Sequence, residues 1–204
     1  MTKIKIIGTG MYVPGKPIDN QELKKLAHID FDVEKMESKL GILQRHIARL
    51  RGIDDSTADF ATKAAEAAIK DANIDAEDIG LLIVGTDTPE FITPATSILV
   101  QGRIQKTEKW TNTFDVAASC ASFTIAFDNA VRILKTDKSI QYALVIGVYN
   151  MPAFIRDEDA FSYPIFADGA GAVLIQNNSN GESDYINGQM LTDGTQWDYI
   201  GIYS

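Results

Sequence analysis

Two apolar runs limit what this chain can become: GLLIVGTDT, residues 80–88, and YALVIGVYN, residues 142–150. Each has the length of a strand, and neither alternates polar with apolar residues through its first six positions. Such runs suit strands covered on both faces, and that needs helices on two sides of a sheet. Helical stretches stand where they are wanted. STADFATKAAEAAIKDANI (56–74) has Ser56 and Asp59 at the S-x-x-D spacing of a capping box, and its alanine-rich body favours helix. TSILVQGRIQ (96–105) reads as a short helix, and NQELKKLA onward to Leu40 as one or two helices broken near Ile29–Phe31. Phe123, Phe127, Val131 and Leu134 recur at steps of 4, 4 and 3, a buried helical stripe. KIKIIGTGMYVPG (3–15) opens as a strand and then a turn, and WTNTFDVA (110–117) adds another strand. YPIFADGAGAVLIQNN (163–178) reads as a turn leading into a strand, and YINGQMLTDG (185–194) as one more strand. The alternation predicts an α/β layered fold with a largely parallel mixed sheet and a buried helix after residue 120.

Charge and composition remove several function classes. The 204 residues carry 19 basic and 28 acidic side chains, a net charge of −9, which disfavours broad contact with nucleic acid. No apolar run reaches membrane-spanning length, and MTKIKIIGTG lacks a signal-peptide pattern, so the expected setting is cytoplasmic, away from membranes. A single cysteine excludes an intrachain disulfide framework. His28 and His46 stand at no recognised ligand spacing, so no metal is expected. Gly8, Gly10 and Gly15 give G-x-G-x-x-x-x-G, with Pro14 where a phosphate-binding helix would begin, which argues against a nicotinamide site. Arg45, His46, Arg49 and Arg51 lie close together in QRHIARLRG. They read as a solvated loop or helix end, or as a small anion site for a phosphate-bearing ligand.

The lone cysteine, Cys120, sits in FDVAASCASFTIAFDNAVRIL between the last predicted strand residues and the helical stripe. It is open to two readings. A buried cysteine commonly packs as a small hydrophobe. A cysteine at the first turn of a helix meets unpaired N–H groups and the positive end of the dipole, which favour thiolate. Ala117, Ala118, Ser119, Ala121 and Ser122 leave room for a substrate to approach, although small residues also serve a tight strand-to-helix turn.

FDVAASCASF, YALVIGVYN and IFADGAGAVLI closely resemble the N-terminal half of the 3-oxoacyl-acyl-carrier-protein synthase III family, thiolase-fold condensing enzymes. KIIGTGMYVP, LGILQRHIA and DANIDAEDIGLLIVGT resemble the same family in the same order, so the likeness runs along nearly the whole chain. The resemblance implies an acyltransferase of fatty acid or related polyketide biosynthesis, with Cys120 as the nucleophile that holds an acyl group as a thioester. That group would pass to a carbanion made by decarboxylating a malonyl thioester. The implied substrates are acyl-coenzyme A or acyl-carrier-protein thioesters with no further cofactor. The implied partners are the acyl carrier protein and a second copy of the chain. On this reading residues 1–180 form an N-terminal half-domain, and 181–204 begin the connection to an absent second half. The family's histidine and asparagine, which orient the malonyl thioester, belong to that half and match nothing here. The apolar tail with Trp197, Tyr199, Ile200, Ile202 and Tyr203 then reads as a surface cut from the missing part, in a fragment inactive in condensation, or as one packed on a partner of a naturally short subunit. Acyl transfer to an alcohol or amine without decarboxylation, or a non-catalytic thiolase-fold partner subunit, are the alternatives.

Three departures bear on substrate. Lys35 and Lys39 stand where relatives flank the coenzyme A adenine with a tryptophan and an arginine, and a lysine neither stacks nor forks as those do. Ala160 stands in place of a second coenzyme-contacting arginine, so a carrier-protein donor or a specialised substrate gains weight. Thr93 replaces a bulky residue of the acyl channel, contributed across the dimer, which leaves room for an acyl chain longer than acetyl. Asp168, Gly169 and Gly171 of IFADGAGAVL are expected in a structural turn near the site, with Asp168 bonding backbone N–H groups. A calcium loop is not expected there, since oxygen ligands at alternate positions are missing.

Overall fold

The computed structural model describes residues 3–178 and 182–199. In chain order the elements are β1 (Lys3–Tyr12), β2 (Ile18–Asp19), α1 (Asn20–Leu26), α2 (Val33–Leu40), β3 (Gln44–Arg45), α3 (Thr57–Ala72), β4 (Ile79–Gly85), α4 (Thr96–Ile104), β5 (Asn112–Val116), α5 (Ser122–Thr136), β6 (Tyr142–Asn150) and β7 (Asp168–Asn178). The main sheet has the order β1-β7-β6-β4-β5. β4 pairs in parallel with β5 and β6, while β7 pairs antiparallel with β6 and β1. Four strands therefore share one direction and only β7 runs against them.

The apolar runs behave as double coverage requires. Leu82 and Val84 of β4 face the α3 side with Leu144 and Ile146 of β6, and Leu81 and Ile83 face the α5 side with Ala143 and Val145. α3 begins with the capping box: Ser56 Oγ accepts from Asp59 N, and Asp59 accepts from Ser56 N at 2.9 Å. Its alanines Ala61, Ala64, Ala65 and Ala68 are fully buried against the sheet. Gly8 and Gly10 explain themselves at this contact. A side chain at Gly10 would lie 2.2 Å from the Ala64 carbonyl oxygen, and one at Gly8 2.5 Å from that of Ala68. The glycines of β1 bring a helix close, and no nucleotide loop is formed.

Two expectations are corrected. Residues 185–194 form no strand; Ile186 is 95% exposed and Leu191 84%, with no ladder partner among the described residues. Asp168, Gly169 and Gly171 lie inside β7, paired with Asn150, Tyr149 and Gly147 of β6, so the turn precedes them.

The arginines of the basic cluster are engaged by the fold rather than standing free in solvent. Arg45 is buried and donates to the carbonyls of Ile18 and Pro164. Arg49 bonds the carbonyls of Pro152 and Ile155. Arg51 bonds Lys16 and Pro17 carbonyls and the Glu22 carboxylate. His46 Nδ1 faces the carbonyl oxygens of Pro14 and Gly15 at 3.2 and 3.1 Å. Together they staple a small lobe, in which Ile18, Leu23 and Ile47 pack with Met151, Ile155 and Tyr163, onto the main sheet.

Candidate functional site

β4, β5 and β6 end together, with Gly85 paired to Val116 on one side and Gly147 on the other. α5 starts directly over that edge. A side chain at Gly85 would lie 2.7 Å from the Ser122 carbonyl carbon, so the helix start presses on bare strand backbone. The link from β5 to α5 is the 3-10 turn Ser119–Ala121, and its middle residue is Cys120. The thiol is exposed, which sets aside its reading as a buried filler.

The turn is held by polar contacts on both flanks. Ser119 has φ +50°, a left-handed conformation that a non-glycine residue adopts at a cost of about 1–3 kcal/mol. Its N–H donates to Asp87 Oδ1 at 3.0 Å, and its carbonyl accepts from Ser122 Oγ at 2.7 Å. Ser122 Oγ also accepts from Ala118 N at 2.9 Å. Asp87 was not singled out by sequence, although the polar end of GLLIVGTDT was its only signal. Thr88 beside it accepts from Asn150 N at 2.9 Å, which ties the ends of β4 and β6.

α5 differs from every other helix at its N-terminus. Asp19, Asp32 and Ser56 cap α1, α2 and α3, and the Asp115 carboxylate takes the Thr96 and Ser97 N–H groups of α4. α5 has no side-chain cap among the described residues. Its first N–H, that of Ser122, bonds back to the Ser119 carbonyl of the turn, and the helix dipole places partial positive charge beside the thiol.

Beside the turn opens a cavity of about 960 Å³, bordered by Ala118, Ser119 and Ala121 and walled by Phe123, Phe127 and Met190. Phe123 and Phe127 of the predicted stripe are therefore only half buried, while Val131 and Leu134 are fully so.

The remaining sequence candidates lie elsewhere. Lys35 and Lys39 are exposed one turn apart on α2, and Thr93 and Ala160 are exposed in loops. None of the four borders the cavity beside the Cys120 turn. Asp168 is buried; its Oδ2 accepts from Ala48 N at 2.7 Å, and Oδ1 has no partner. Burial raises its pKa to about 6, against the pull of the Ala48 N–H and Arg49. Trp197 and Tyr199 are exposed, and Ile200, Ile202 and Tyr203 lie outside the described residues. Among the described residues no group of three or more His, Cys, Asp or Glu is placed to hold a metal, and no helix is long and apolar enough to cross a membrane.

A mixed sheet between helical layers, with a helix springing from the cysteine turn at the strand ends, defines a thiolase-like α/β fold. Solved structures share it. The 3-oxoacyl-[acyl-carrier-protein] synthase III of Aquifex aeolicus superposes with a TM-score of 0.77 at 33% identity, covering 88% of this chain and 55% of that one. The priming β-ketosynthase of the R1128 polyketide pathway gives a TM-score of 0.77 at 27% identity, covering 86% and 50%. The family profile described as 3-oxoacyl-[acyl-carrier-protein (ACP)] synthase III matches residues 114–194, the cysteine turn included. The β-ketoacyl-[acyl-carrier-protein] synthase III of Clostridium acetobutylicum is 36% identical over 200 residues, 98% of this chain and 58% of its own. The chain belongs to the 3-oxoacyl-[acyl-carrier-protein] synthase III family and spans somewhat more than half the length of the curated relatives it matches.

Proposed function

We propose that Cys120 is an acyl-accepting nucleophile in a condensing enzyme of the β-ketoacyl synthase III type. The observation that carries the reading is an exposed thiol in a strained turn at the uncapped start of α5, inside the segment that matches the family. The thiolate sulfur attacks the carbonyl carbon of an acyl thioester, a new C–S bond forms, and the donor thiol leaves with a proton. In the second step a malonyl thioester loses carbon dioxide, and its carbanion takes the acyl group from Cys120. The histidine and asparagine for that step are expected outside these residues.

Lys35 and Lys39 offer point charges rather than a stacking platform, which suits the phosphate of a carrier-protein prosthetic group better than an adenine. The small Thr93 side chain suits an acyl chain longer than acetyl, with a second copy of the chain completing that channel. The acyl carrier protein is the proposed partner.

The test is intact-protein mass spectrometry after incubation with acyl thioesters of the carrier protein and of coenzyme A. One acyl adduct on the wild type, absent from Cys120→Ser, is expected. A wild type that takes no adduct from either donor, while iodoacetamide still alkylates Cys120, overturns the reading.

A further inference from the structure

Tyr149 lies within YALVIGVYN but has no role assigned from the sequence, and β6 carries it to the sheet edge where the cysteine turn lies. Residues two apart on a strand share a face. Gly147 faces α5, since a side chain there would meet Phe123 at 3.1 Å, so Tyr149 points the same way, one period nearer the strand ends where Cys120 sits. Its ring packs against Phe166 with centroids 6.0 Å apart, a contact that fixes its direction. The hydroxyl makes no hydrogen bond among the described residues, although half-buried tyrosines ordinarily find a partner. Burial first, then the Asp87 carboxylate and the Cys120 sulfur, push the phenol pKa above its usual value, so both groups lie within its electrostatic reach. The hydroxyl therefore keeps its proton and stays a donor. Asp87 is already engaged with the Ser119 N–H, and the thiol accepts no bond from Tyr149. The hydroxyl is thus a donor on the α5 face of β6, beside the strand end that carries Asp87, with no protein partner among the described residues.

We propose that the Tyr149 hydroxyl donates a hydrogen bond to the carbonyl oxygen of the thioester that reacts at Cys120, an inference that rests on the reading of Cys120 as nucleophile. As sulfur adds to the carbonyl carbon, the C=O π pair moves onto oxygen, and the bond from Tyr149 strengthens without proton transfer. When the tetrahedral adduct collapses, the carbonyl re-forms and the donor thiolate leaves. A merely structural Tyr149 would need only its ring, which phenylalanine supplies.

The experiment compares wild type with Tyr149→Phe, using an acyl N-acetylcysteamine thioester as acyl donor and iodoacetamide as a thiol probe. Alkylation displaces iodide and builds no oxyanion, so it reports thiol reactivity alone. The expected result is a loss of about tenfold or more in the single-turnover rate of acyl-Cys120 formation, with the alkylation rate unchanged. Equal acylation rates in the two proteins overturn the proposal. Parallel losses in acylation and alkylation overturn it as well, because the hydroxyl would then act on the thiol. A wild type that alkylates but never acylates sinks the nucleophile reading itself, a different outcome from a wild type that acylates as fast as its variant.

Discussion

The two faces of the main sheet are built from the same strands and close in different ways. On the α3 face, alanines meet glycines, the helix is capped at its first turn, and the side chains between are fully buried. On the α5 face the helix is uncapped, Phe123 and Phe127 are half buried, and a cavity remains between the helix and residues 184–192. Toward β1 that face is bare: Met11 is 72% exposed. Close packing is spent where no chemistry is expected. The face that carries the thiol keeps a helix start without a side-chain cap, a strained residue and open space.

The largest effect should come from glycines on opposite faces. Gly10→Val drives a side chain into the α3 backbone and should cost about 3 kcal/mol or more by urea denaturation. Gly171→Ala, whose new methyl would meet nothing within 4 Å, should stay within about 0.5 kcal/mol. Comparable costs for the two would break the contrast. A smaller effect is expected from Asp168, which sits on the α3 side of β7 in register with Ala170. Folded, it keeps its proton up to about pH 6, against a usual value of 3.8. Between those values the folded state binds more protons than the unfolded one, so this group's contribution falls as pH rises from about 4 to about 6 and is level above. Stability measured against pH should show that decline relative to Asp168→Asn, which cannot titrate; parallel profiles would refute it. The smallest is Ser56→Ala, which removes the α3 cap and should cost about 1 kcal/mol in thermal or urea unfolding.

Much of this arrangement was legible in the residues. The capping box at Ser56, the doubly covered runs and the placement of Cys120 before a helix all follow from local chemistry, and local chemistry is what a sequence displays. The failures share a cause. YINGQMLTDG has strand-like composition, but a strand needs a neighbour to bond, and Ile186 and Leu191 have none among the described residues. Arg45, Arg49 and Arg51 looked free because the carbonyls they bind come from turns as distant as Pro152 and Pro164. Asp87 reaches the Ser119 N–H only because β4 ends beside β5, and a single residue at a strand end carries no periodic mark. The glycines of β7 looked like a turn because composition alone does not separate a turn from a strand whose outer face is left empty.

The register of β1 slips between Ile6 and Gly8. Before the slip Ile4 and Ile6 face the α5 side; after it Gly8, Gly10 and Tyr12 face α3. The strand thus works as two half-strands joined out of phase, and one residue decides which side receives the glycines. Were Ile7 taken up into a regular ladder instead of bulging out of it, composition, charge and every motif would stay as they are. Thr9 and Met11 would then turn toward α3 and so evict the helix by parity alone.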